Sequence, residues 1–174
     1  MPPQHSRQYG TFHITTNTRE KVAWCTLRGI PELLIDNLLM TRNIQNARVH
    51  AFCILPDHMH IIMSPGKQGL SAFMHSFKRN SSWHIRQCFS LAAGVHEPRL
   101  PDETKTILTL KTGDIHWQNG FHDERIRDAV QRSNALTYVQ YNAWRHGLTA
   151  DPEGWLWSSL RFPDLIDLTE VWLD

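Results

Sequence analysis

The stretch RVHAFCILPDHMHIIMS, residues 48–64, constrains this chain more than any other. Two apolar runs, RVHAFCILP and HMHIIMS, read as β-strands, and Pro56-Asp57 between them supplies the turn. Strands joined this closely run antiparallel. In the second strand His58 and His60 project from one face, while Met59, Ile61 and Met63 project from the other. Two imidazoles so placed can share a divalent metal ion, or they can be hydrogen-bonded passengers on an exposed strand. His50, His116 and His122 are further possible ligands on the same footing.

The segments around this pair extend the pattern. YGTFHITTNT alternates Phe12 and Ile14 against His13 and Thr15 and reads as a strand. PELLIDNLLMTRNIQNA places Pro31 in a first helical turn and Leu34, Ile35, Leu38, Leu39 and Ile44 largely at helical spacing. Residues 69–94 read as a helix with Ser71 as N-cap and Gly94 at its close. TKTILTLKTGDIHW, residues 104–117, suits short strands around a turn, and residues 125–147 suit one long helix closed by Gly147. This order predicts an α+β fold, a ferredoxin-like antiparallel sheet flanked by helices. No repeat or linker divides the chain, so one domain is expected over residues 1–174, with the acidic tail 151–174 folded back as a short cover.

Composition narrows the setting. No apolar run approaches the roughly 20 residues of a membrane span, and the N-terminal MPPQHSRQYG has no apolar signal segment, so a soluble, cytoplasmic protein with no membrane partner is expected. Cys25, Cys53 and Cys88 show no CxxC spacing, which fits a reducing compartment. Residues 1–94 hold 10 Lys and Arg against 4 Asp and Glu, whereas residues 95–174 hold 8 against 13. A local basic surface of this kind can gather a phosphate backbone whatever the overall charge, although most surface charge is simply solvated. Lys78, Arg79 and Arg86, with Trp83 nearby, are candidate contacts to phosphates and to an unpaired base, and Arg125 and Arg127 are a second set.

A partner for the histidine pair is sought on the last helix. On a helical wheel Leu136, Val139, Ala143, Ala129, Ile126 and Trp144 form the apolar stripe, with Tyr141 near its edge. Tyr138 and Asn142 fall together on a polar side, one turn apart, where they are either a nucleophile with a metal ligand or ordinary surface residues.

Taken together these pieces resemble a known family. LPDHMHIIM resembles the His-hydrophobic-His strand of the single-tyrosine HUH transposases, and the closer resemblance is to the REP-associated tyrosine transposases. FKR at 77–79, WQNGFHDERIR at 117–127, YVQYNAWRHGL at 138–148 and WLWSS at 155–159 match family blocks in the same order, from about Tyr9 to Ser159. The resemblance implies His58 and His60 as the metal-binding pair, Tyr138 as nucleophile and Asn142 as third ligand. It further implies Mg²⁺ or Mn²⁺ as cofactor and cleavage and strand transfer on single-stranded, hairpin-containing DNA through a 5′-phosphotyrosine link, by a monomer or a homodimer. A DNA-binding module that has lost strand transfer and a metal-dependent hydrolase are the competing readings. In place of the family's Asn-Pro-Val this chain has Asn142-Ala143-Trp144, so the helix is expected to run on more regularly there.

Overall fold

The computed structural model of the protein describes residues 9–92 and 111–167. Strand β1 (Thr11–Asn17) is followed by helix α1 (Ile30–Gln45), strands β2 (Arg48–Leu55) and β3 (His58–Ser64), and helix α2 (Leu70–Ala92). Strand β4 (His122–Ile126) leads into helix α3 (Ala129–Gln140) and the short helix α4 (Asn142–Arg145). The four strands form one antiparallel sheet in the order β2-β3-β1-β4, so the fold is α+β with the ferredoxin-like arrangement the sequence predicts.

Local chemistry sets the joints. Pro31 lies in the first turn of α1, where a missing N–H costs nothing. The helix stops at Asn46, which takes a left-handed conformation (φ 50°) while its N–H bonds back to the carbonyls of Arg42 and Asn43. The loop from β3 to α2 passes so close over this end that a Cβ at Gly66 would stand 1.9 Å from the Gln45 carbonyl oxygen. Only glycine fits there.

Strand alternation divides the buried residues between two faces. Phe12, Ile14, Phe52, Ile54, Met59, Ile61 and Met63 point to the face covered by α1 and α2, where Leu34, Leu38, Phe73 and Phe77 complete a large apolar core. The other face carries a smaller cluster of Ala51, Cys53, Leu55, Ile62 and Ile126 under Val139 of α3 and Ala143 of α4. The histidines of β3 belong to this second face, as alternation requires.

Residues 155–167 hydrogen-bond along the outer edge of β2. Ile54 N–H donates to the Trp157 carbonyl (2.9 Å), and Asp167 N–H donates to that of Val49 (2.7 Å). Val49 N–H in turn donates to Asp167 Oδ2 (2.7 Å) and Trp155 Nε1 to the Ile54 carbonyl (2.8 Å). An edge of unpaired N–H and C=O groups is thereby closed to other strands.

Several expectations are corrected. Helix α2 begins at Leu70, so Ser71 lies inside it and is not the N-cap; Gly94 and residues 104–110 lie outside the described residues. Thr112–Asp114 is a 3₁₀ turn and not a strand. The long helix expected over 125–147 is three elements: Arg125 and Ile126 belong to β4, Asp128 caps α3 by accepting from Gln131 N–H, and the helix breaks at Tyr141 (φ −103°, ψ 14°). The break occurs with alanine at 143, so a proline is not what interrupts this helix. The apolar stripe drawn across it fails accordingly, since Trp144 is about half exposed and Ile126 is a strand residue. No helix among the described residues is long and apolar enough to cross a membrane.

Candidate functional site

The Pro56-Asp57 turn launches β3 and fixes the first histidine. The Asp57 carbonyl accepts from Thr18 N–H (2.8 Å) and Thr18 Oγ1 (2.9 Å), which anchors the turn to the end of β1. Asp57 Oδ1 lies 2.6 Å from His58 Nδ1, and its second oxygen lies 3.6 Å from Lys21 Nζ. Burial opposes ionisation of Asp57, but the hydrogen bond from His58 and the charges of His58 and Lys21 outweigh it and hold the carboxyl below its ordinary pKa. In the neutral ring, a carboxylate on Nδ1 keeps the proton on that nitrogen and leaves Nε2 of His58 with its lone pair.

His60 is held from the neighbouring strand. The register pairs it with Thr15 of β1, and its Nδ1 lies 3.0 Å from Thr15 Oγ1 and 3.2 Å from His13 Nε2. Its Nε2 is buried without a hydrogen-bond partner. Burial, then the neighbouring His13, His58, His146 and Lys21, pushes the imidazole pKa down to about 3, so the ring is neutral near pH 7 and its lone pair needs no proton loss before binding a cation. The two rings of His58 and His60 stand 5.0 Å apart at 87°.

Helix α3 brings Tyr138 down onto His60 and His13. Its ring meets His60 edge to face at 5.3 Å and His13 at 5.5 Å, with the Arg145 guanidinium carbon 5.6 Å from the ring centroid. Tyr138 remains 37 % exposed and lines an open groove with His13, Glu124 and Arg145. The His146 ring lies 6.1 Å from that of His58 and closes the far side.

Asn142 departs from the wheel. It was expected beside Tyr138 on a polar side; instead it is fully buried, because the break at Tyr141 turns it inward alongside Ala143, which packs near Cys53 and Leu55. Both Oδ1 and Nδ2 of Asn142 are buried without hydrogen-bond partners. Orphaned buried amides are rare and costly, and a bound cation is one remedy. Among the described residues no group of three or more His, Cys, Asp or Glu gathers as a metal nest. The candidate donors for a divalent ion are the Nε2 atoms of His58 and His60 and, among the buried orphans, the amide oxygen of Asn142. Imidazole and amide oxygen suit borderline and hard ions such as Mn²⁺ and Mg²⁺.

The basic candidates lie elsewhere. Helix α2 packs on the opposite face of the sheet, so Lys78, Arg79, Trp83 and Arg86 do not adjoin Tyr138. Lys78 Nζ donates to the carbonyls of Gln118 and Gly120, and Arg86 donates to that of Ile115 (3.0 Å), tying the chain before β4 to α2. Trp117 Nε1 adds a bond to Ser81 Oγ (3.0 Å). Arg79 and Trp83 are exposed, and Arg79 lines a groove with His75, Lys78 and His116. Arg125 pairs with Phe12 and thus projects to the α2 side, away from Tyr138, while Arg127 is exposed at the start of α3. His50 is engaged with Ser64 Oγ (2.9 Å), His116 lies beside Arg86, and only His122 reaches the groove next to Tyr138.

Sequence reasoning passed over Asp57, His13 and His146. The signal for His13 was present, since it alternates with Phe12 and Ile14 and had to share the face of Thr15. For His146 there was none, because its position depends on the break at Tyr141.

A ferredoxin-like sheet that presents a His-x-His strand to a helix-borne tyrosine defines the class. The chain belongs to the IS200-like transposase family, whose model matches residues 7–142. A Haemophilus influenzae protein named as a REP-associated tyrosine transposase is 28 % identical over 115 residues, covering 64 % of this chain and 57 % of that relative. The match thus spans little more than half the length of that relative. A solved REP-associated tyrosine transposase bound to a REP hairpin superposes with a TM-score of 0.65 at 19 % identity, over 92 % of this chain and 84 % of the other. A transposase structure from Deinococcus radiodurans R1 gives 0.50 at 15 % identity, over 80 % and 95 %. At these identities the two structures speak to the fold.

Proposed function

We propose that this protein is a metal-dependent endonuclease and strand transferase acting on single-stranded, hairpin-containing DNA through a 5′-phosphotyrosine intermediate. The observation that carries the reading is Tyr138 set edge to face on His60 while His60 Nε2 is buried with no partner. Membership of the transposase family and the fold shared with a hairpin-bound relative support the substrate class.

The ion, Mg²⁺ or Mn²⁺ bound by His58, His60 and Asn142, would supply Lewis acidity to the scissile phosphate. The remaining work falls to the chain. Tyr138 Oη bonds to phosphorus as the bond from phosphorus to the 3′-oxygen breaks, and the phenol's proton is balanced by one taken up on the departing 3′-oxygen. One phosphodiester replaces another, so the reverse attack by a different 3′-hydroxyl completes strand transfer. Arg145, placed over the Tyr138 ring, brings positive charge to the phosphate oxygens. Asp57 and Thr15 hold the imidazoles of His58 and His60 in orientation.

The test is incubation with labelled single-stranded hairpin DNA and Mn²⁺, comparing wild type with Tyr138→Phe on a denaturing gel. A covalent protein–DNA band in wild type alone is the expected result. Free fragments from both proteins would overturn the tyrosine mechanism in favour of water attack.

A further inference from the structure

A groove of about 720 Å³ opens beside Tyr138, between β4 and α3. One wall is the sheet, with His13, His122 and Glu124; the other is α3, with Gln131, Asn134 and Tyr138 itself. The register explains the sheet wall, because Glu124 pairs with His13 and His122 with Thr15, all on the histidine face. A polyanion entering this groove meets a carboxylate that ought to repel it, unless that carboxylate addresses a base.

Glu124 is held as a fixed acceptor. Gln131 Nε2 donates to Glu124 Oε1 (2.8 Å), Gln131 Oε1 accepts from Arg127 N–H (2.9 Å), and Gln131 N–H is itself bound by Asp128 Oδ1 (2.8 Å). The carboxylate is thus oriented before any ligand arrives, which limits the ordering cost of recognition. Asn134, one turn further along α3, lines the same space, and its side-chain amide has no hydrogen-bond partner among the described residues. At the tyrosine end Arg145 supplies the cation for the backbone.

Base chemistry selects the occupant. An ionised carboxylate only accepts hydrogen bonds. Guanine presents two adjacent donors, N1–H and N2–H, on its Watson–Crick edge, which is open in single strands. Adenine, cytosine and thymine each set an acceptor beside their donor. We propose that this groove reads one unpaired guanine next to the scissile phosphate, with Glu124 bonding N1–H and N2–H and Asn134 donating to O6. The inference rests on the single-strand reading of Tyr138 and adds the base that the same site selects.

The experiment measures binding, so cleavage does not enter it. Full-length Tyr138→Phe protein in EDTA is titrated into fluorescent hairpin oligonucleotides in which each unpaired position beside the hairpin carries guanine, inosine (which lacks the N2 amino group) or adenine. At one position guanine should bind about tenfold more tightly than inosine, the scale of a lost bidentate contact. Adding Glu124→Gln should bring that ratio close to one while leaving the inosine oligonucleotide's affinity little changed. Asn134→Ala should weaken guanine binding without touching the guanine-to-inosine ratio, since it addresses O6. Equal affinities for all bases, a preference that survives Glu124→Gln, or a uniform gain in that variant from relieved repulsion would each overturn the proposal. A wild-type covalent band alongside any of those results would leave the nuclease reading standing. Base preference without a band would do the reverse, and absence of DNA binding would sink both.

Discussion

The two faces of the sheet were built from the same alternating strands and came out chemically opposite. Under α1 and α2, Phe52, Phe73 and Phe77 are fully buried in a large, mainly apolar core whose helix-borne polar groups are tied up locally, as Thr41 is to the Asn37 carbonyl and Ser81 to Trp117. Under α3 the apolar contacts are few, and the space they leave holds His13, Thr15, His58 and His60, with Tyr138 above them. A strand gives half its residues to each side, so one side can carry stability while the other carries unsatisfied imidazoles. What the comparison teaches is a division of labour: removing groups from the first face should cost folding, and removing groups from the second should cost chemistry.

The sharpest break in that division is Tyr138→Phe. It should abolish covalent adduct on the gel and leave the melting temperature where it was, because the hydroxyl lies on a ring more than a third exposed. On the opposite face, Phe73→Ala should destabilise by about 3–5 kcal/mol through lost burial and a cavity, measured by urea denaturation. Its residual folded fraction should cleave normally. Asp57→Asn should fall between the two: metal affinity, read by Mn²⁺ titration of adduct formation, is expected to drop about 10- to 100-fold with little change in stability.

The smallest effect concerns pH. Burial, partly offset by Asp167, lowers the His50 pKa from 6.5 to about 4. Between those values the unfolded chain binds a proton that the folded chain refuses, so stability is complete above 6.5 and declines as pH falls toward 4. His50→Gln, which keeps a group able to bond Ser64, should make that decline shallower in denaturant titrations across pH 4–7. An unchanged slope would mean that other groups dominate the acid limb. His50 bonds Ser64, at the opposite end of β3 from His58, and does not line the groove beside Tyr138, so adduct yield at neutral pH should not move.

Much of this was legible along the chain. The Pro56-Asp57 turn fixes an antiparallel hairpin, and period-two alternation then dictates that His58 and His60 share a face. The spacing of Leu34, Ile35 and Leu38 fixed α1 in the same manner. These are short-range consequences of backbone geometry, so the sequence by itself determined β1, α1, β2, β3 and α2, the histidine face and the residue types available for chemistry, but not β4. It did not determine where the last helix ends its first run. Tyr141 carries no proline or glycine to announce a break, and periodicity read across it put Asn142 on the wrong side. Nor did it reveal that Lys78 and Arg86 are spent on the carbonyls of residues 115–120, or that Arg125 faces away from Tyr138. Those facts depend on which segments meet across the fold, 29 to 42 residues apart for the Arg86 and Lys78 bonds. The assembly of His13, His60, Tyr138 and His146 is of the same kind: strand order puts β1 beside β3, and packing of α3 on that face brings the tyrosine down. Local rules have no term for such meetings, which is why only the tertiary structure decided them.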